Sequence, residues 1–199
     1  MHKAVRVILD EHRALAAVLH GLRHVCTDMA ANGTKPNFEL LWAMLTYIDR
    51  FPERLHHPRE DQYLFRLLRL RSPQAGELLA RLEREHRDGA RLIANLHQAL
   101  ADLQEGVGPV DVASLARQVE TFSEFHWRHM RTEEDEVLPL AERALTAADW
   151  QAIDDAFAAN DDPLVGVDSK DSFEMLFKRI VNLTPPPYGV GPPLGDEIG

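Results

Sequence analysis

Two stretches of this chain, HHPREDQYL at residues 56–64 and HMRTEEDEV at residues 129–137, carry one pattern. Each has a histidine, a glutamate four residues on, a second acidic residue and an apolar residue at a shared offset. An EHR triplet precedes each, at residues 11–13 and 85–87. His12 and His56 are 44 residues apart, and His86 and His129 are 43 apart. This spacing reads as two copies of one helix pair, each offering a lone histidine and a His-x3-Glu. Packed about a pseudo-twofold axis, the copies bring six polar side chains to one level of a core.

The surrounding pattern is helical throughout. From Ala4 to Cys26, apolar residues recur at Val5, Ile8, Leu9, Leu15, Leu19, Leu22 and Val25, the stripe of one helix face. NGTKPN (32–37) ends that run, and Asn37 is placed to cap a second helix through Tyr47 and beyond. Pro52 and Pro58 predict a kink or a change of segment beside the paired histidines. Ser72 and Pro73 read as a cap and first position of a third helix reaching about Leu103. After EGVGPVD (105–111), Asp111 caps a fourth helix carrying Leu115 to Leu138.

Four long helices with short connections predict an all-α, antiparallel up-down bundle over residues 1–145. Residues 146–199 form a C-terminal extension expected to pack on the same domain. TAAD (146–149) opens a short fifth helix with a capping box, and DSKDSFEMLFKRIVNL reads as a sixth. TPPPYGVGPPLG should be an extended, polyproline-like tail.

With 199 residues and 45% hydrophobic content, the chain suits one soluble domain with a substantial core. A net charge of −10 argues against nucleic acid or an anionic membrane as partner, since both need a basic surface. The single cysteine, Cys26, precludes an internal disulfide, is expected to be a small buried hydrophobe, and fits a reducing compartment. No apolar run has the length of a membrane span, and the start turns acidic at Asp10 and Glu11, so the cytoplasm is expected.

Metal chemistry explains the repeated residue types. Positions i and i+4 share a helix face, so one helix can offer an imidazole and a carboxylate to one metal region. Two copies supply four imidazoles and two carboxylates, a set that suits iron or manganese and tolerates zinc. A carboxylate can bridge two metals and an imidazole normally cannot. Glu60 and Glu133 are therefore assigned as bridges, His12 and His56 to one metal, and His86 and His129 to the other. Without metal, six such groups would be a heavy buried polar load.

The neighbouring residues carry weaker signals. His57 lies about 100° around the helix from His56 and is assigned outside the ligand set or at the surface, with a spare ligand as the alternative. Asp61 and Glu134 are expected to orient a histidine or to face solvent. His126, one turn before His129, is an alternative to it or a hydrogen-bonding neighbour. His20, His24 and His97 fit no repeat and should be partly exposed. The charge run RTEEDE reads as a solvated face apart from Glu133.

In this order and spacing, LDEHR, HHPRED, LEREHRD and HMRTEED resemble the hemerythrin-like, HHE cation-binding domains over about residues 5–143. The resemblance implies a four-helix bundle around two iron ions, a di-iron centre with oxo or hydroxo and carboxylate bridges. It implies His12, His56, Glu60, His86, His129 and Glu133 as ligands. Members carry oxygen, sense oxygen or iron, handle nitric oxide or repair iron–sulfur clusters. Oxygen carriers have a His-x3-His on the third helix, where this chain has Ala90, and a His-x4-Asp on the last, where it has Glu134. A missing histidine leaves an open position on one metal and favours reaction with oxygen, peroxide or nitric oxide over simple carriage. The alternative is a non-enzymatic iron sensor or store. The ferritin-like pattern fails, because His12 stands where a glutamate is needed and residue 126 is histidine.

Overall fold

The computed structural model describes residues 2–158 and 170–193, and no strand occurs among them. Helix α1 (Lys3–Asn32) buries Val5, Ile8, Leu15, Leu19, Leu22 and Val25 and ends at Gly33, whose φ of 69° favours a residue without a Cβ. Helix α2 (residues 38–71) starts at Asn37, whose side-chain oxygen accepts the Leu40 N–H at 3.0 Å. Helix α3 (residues 73–105) opens with a 3-10 turn, Pro73–Ala75, and ends at Gly106. Helix α4 (residues 112–144) is capped by Asp111, which accepts the Ser114 N–H at 2.7 Å. Helices α5 (Ala147–Ala158) and α6 (Lys170–Leu183) follow.

Two local expectations change, and the change of segment expected at the prolines takes the form of a change of winding. Pro52 and Pro58 do not end α2. Asp49–His56 and Glu60–Phe65 wind as wider π-type turns, and the helix continues through both prolines. A wide turn relaxes the ladder where proline lacks its N–H and crowds the preceding carbonyl. Helix α4 has a matching wide turn at Glu133–Val137, so one begins at each repeat glutamate. Ser72 does not cap with its side chain: its buried hydroxyl has no partner, and its carbonyl instead accepts the Ala75 N–H. The described part of the proline-rich tail turns back on α6 and is not extended. Val190 N–H donates to the Val181 carbonyl and Gly191 N–H to that of Thr184. Residues 168 and 169 of the expected sixth helix and residues 194 and 195 of the tail lie outside the described residues.

Contacts between the long helices fix how they face one another. Between α1 and α4, His12 meets Glu134 and Arg23 meets Glu120, so residue numbers run in opposite senses. Between α2 and α3 the same holds for Trp42 with Gln104, Asp61 with His86 and Arg69 with Glu83. Two apolar clusters result. One holds Leu19, Leu22, Met44, Ile93 and Phe122, and the other Ile8, Phe65, Leu79, Val137 and Ile153. His12, His56 and His86 fall between these clusters along their helices, and His129 lies beside Met130 at the end of the first cluster on α4.

The C-terminal extension shares the second cluster through Trp150, Ile153 and Phe157. Its start is held as the capping box implies, with Asp149 N–H donating to Thr146 Oγ1 and Thr146 N–H to Asp149 Oδ2. Arg71 at the end of α2 adds two hydrogen bonds to the same carboxylate, at 2.8 and 3.0 Å. Phe157 is 1% exposed. Phe157→Ala is therefore expected to cost about 3–5 kcal/mol of stability, in the range for a buried aromatic truncated to alanine. Denaturant unfolding of the whole chain checks this, and a change under about 1 kcal/mol would mean that α5 is not part of the cooperative core.

Candidate metal centre

The repeat residues meet in the middle of the four helices. His12 Nε2 is 3.2 Å from His56 Nε2, and His86 Nε2 is 3.1 Å from His129 Nε2. Two neutral imidazoles can share one proton at such a distance. Two nitrogens on one metal at about 2.1 Å also lie about 3 Å apart. The ligand atoms of His12, His56, Glu60 and Glu133 are all within 4.8 Å of one another, as are those of His57, His86 and His129.

Glu60 and Glu133 reach both histidine pairs. Glu133 Oε2 is 3.4 Å from His12 Nε2, while its Oε1 is 3.2 Å from His129 Nε2 and 3.5 Å from His86 Nε2. Glu60 Oε2 is 3.3 Å from His56 Nε2 and 3.7 Å from His86 Nε2. Both carboxylates are at most 1% exposed, and none of their four oxygens has a hydrogen-bond partner. Buried carboxylate oxygens without partners are costly unless a cation meets them. The residues present therefore fit the metal pair expected at this position.

Each of the four histidines turns its other nitrogen outward to a carboxylate. His12 Nδ1 lies 2.9 Å from Glu134, His56 Nδ1 2.6 Å from Glu11, His86 Nδ1 2.8 Å from Asp61 and His129 Nδ1 2.9 Å from Glu85. A carboxylate at Nδ1 fixes the tautomer that leaves Nε2 as the inward lone pair. Asp61 and Glu134 thus do orient histidines. Glu11 and Glu85 do the same and were not singled out from the sequence, although the EHR triplet repeats a glutamate at both positions.

The electrostatics without a cation are those of a compressed charge cluster. Burial lowers the basicity of His12, but the nearby Glu133 carboxylate and the hydrogen bond with Glu134 outweigh it and carry its pKa up to about 9. His129 rises to about 10 because the charge of Glu133 outweighs burial. Burial and the neighbouring Glu133 push Glu60 well above the usual carboxylate range. Burial acts the same way on Glu133, yet His129 and contacts with His12 and His86 hold it well below that range. Without a cation the cluster therefore disfavours charge on Glu60 and favours it on Glu133, with protons drawn to His12, His86 and His129 and away from His56. Cations at those positions would displace the protons.

Three further buried residues border this group. His57 is 4% exposed, which excludes the surface position, and its ring stacks on His86 at 4.2 Å between centroids. Glu53, also missed from the sequence, is buried, and burial pushes its carboxyl up to about 8. It lies 3.3 Å from His57 Nδ1 and 3.4 Å from His126 Nε2. His126 does not take the place of His129: it faces Glu53, neither ring nitrogen has a hydrogen-bond partner, and burial drives its pKa down to about 3. Ala90 faces outward. His20 is exposed between Trp127 and Tyr188, and His24 and His97 are half-buried.

The model of the hemerythrin HHE cation-binding domain matches residues 3–141. The chain belongs to the hemerythrin HHE cation-binding family. No curated protein and no solved structure matches it. The hemerythrin match covers all four long helices nearly to the end of α4, and with it every residue of the buried cluster. Metal binding is thus the family property that the histidine and glutamate clusters of this chain are built for.

Proposed function

We propose that this hemerythrin-family chain holds two iron ions and binds or reacts with oxygen, peroxide or nitric oxide. Residues 1–145 would form an antiparallel up-down four-helix bundle, with the described part of residues 146–199 packed on the same domain in a cytoplasmic protein. The reversed order of contacts along α1/α4 and α2/α3 supports that topology. The observation that carries the reading is the set of four unpartnered oxygens of Glu60 and Glu133, buried between two pairs of imidazole nitrogens. His12 and His56 would hold one iron, His86 and His129 the other, and the two glutamates would bridge them. Manganese or zinc fits the same donors less specifically.

An iron pair, when bound, supplies redox chemistry and a site where a small molecule can coordinate. The chain's own residues do the rest. The four outward carboxylates keep each imidazole aimed inward, and the apolar clusters on either side exclude water. Glu60 and Glu133 neutralise the charge between the cations.

Addition of oxygen, peroxide or nitric oxide to the reduced, iron-loaded protein should produce a new charge-transfer band promptly. Decay of that band marks turnover. Loss of iron with melting of the helices, and no such band, would instead favour the iron sensor or store.

A further inference from the structure

The repeat makes the two metal positions equivalent in their glutamates and in their first two histidines, but it breaks at one buried place. Aligning His56 with His129 pairs Glu60 with Glu133, Asp61 with Glu134 and Glu53 with His126. The same alignment pairs His57 with Met130, so the second copy offers a buried thioether where the first offers an imidazole. On the lone-histidine helices, Gly89 pairs with Leu15. We propose that His57 is a third imidazole on the metal held by His86 and His129, with Glu53 as its positioning residue. The two metals would then carry two and three imidazoles. The proposal rests on the di-metal reading above and adds to it the inequivalence of the two positions.

Geometry supports this on three counts. The ligand atoms of His57, His86 and His129 already lie within 4.8 Å of one another. Ligands on one metal are about 3 Å apart when adjacent and about 4.2 Å when opposite, so ring shifts of under about 2 Å complete the set. His57 has the same kind of support as the four repeat histidines, though a longer one: Nδ1 lies 3.3 Å from a carboxylate oxygen, Glu53 Oε2, which leaves Nε2 for the metal.

Finally, the fold makes room for that carboxylate. A Cβ on Gly89 would sit 2.9 and 3.2 Å from the two oxygens of Glu53 and 3.3 Å from His126 Cε1. Only glycine on α3 lets Glu53 stand where it does. The fifth histidine that oxygen carriers place on the third helix is thus supplied here from α2, one residue after His56. The expectation of an open position on one metal then applies to the metal of His12 and His56, which lacks a third imidazole.

The test compares the parent protein with His57→Met, Glu53→Ala, Glu53→Gln and Gly89→Ala, each loaded anaerobically with ferrous iron enriched in the Mössbauer isotope. The parent should bind two irons and show two signals of equal area with distinct parameters. His57→Met copies the counterpart Met130, so its helicity should match the parent by circular dichroism. Its second iron should bind about 10- to 100-fold more weakly or be lost, with the other signal unchanged. Glu53→Ala and Gly89→Ala should shift the same single signal, and Glu53→Gln should restore much of it. If His57→Met does not fold, Gly89→Ala, which keeps His57, decides by the same signal. Two irons bound by His57→Met with parent affinity and both parent signals would overturn the proposal alone. Fewer than two irons in the parent would overturn the proposal and the di-metal reading together.

Discussion

Glu133→Ala is expected to abolish the paired centre, taking the metal content of the chain from two to below one. The reason is the reach of this one side chain. Its Oε2 lies beside His12 and its Oε1 beside His86 and His129, and among the described residues only Glu60 likewise serves both histidine pairs. Losing it removes a donor from each metal and leaves two cations with less negative charge between them. The affinity loss should exceed the roughly 10- to 100-fold typical of an outer carboxylate that only orients a ligand. Asp135→Ala, two residues away on the exposed run, is the control and should keep both metals. The bundle itself should remain helical, because its stability rests on the two apolar clusters. Elemental analysis of the two variants beside the parent reads the result.

The second large effect is on stability. Chelating the metal should lower the melting temperature by about 8–16 °C. A ligand bound only by the folded state, at about 1,000 times its Kd, stabilises by about 4 kcal/mol. In a domain of this size each kcal/mol shifts the midpoint by about 2–4 °C. The metal-free protein should still fold, because its charge cluster can relax by protonation: burial and Glu133 raise the pKa of Glu60, while His129 and His12 lower that of Glu133. Calorimetry of loaded and chelated protein measures the difference. Coincident melting curves would mean that no metal contributes to the fold.

Much of this site was legible because the sequence states it twice. The duplicated His-x3-Glu and EHR elements select His12, His56, Glu60, His86, His129 and Glu133 from ten histidines and many acids, and these six side chains do meet. Helix caps at Asn37, Asp111 and Thr146 were equally readable, since a short polar side chain before an apolar stripe has few other uses. The residues that broke the repeat were harder. Glu53 and Gly89 matter through contact between α2 and α3, and no periodicity along one helix reports what faces it across the core. His57 stands 100° from His56 on an ideal helix, which points it away from the centre. Wide turns on either side of it and burial against His86 bring it back. The prolines did mark a change of segment beside the paired histidines, but a local rule for the α-helix does not anticipate that a π-type turn absorbs them without ending the helix.

The central claim is that this chain is built around a pair of metals, and counting them tests it most directly. Protein purified from iron-supplied cells, without affinity to added chelator at any step, should contain close to two iron atoms per chain by elemental analysis. A chain with no bound transition metal, and with a melting curve indifferent to chelator, would contradict the account.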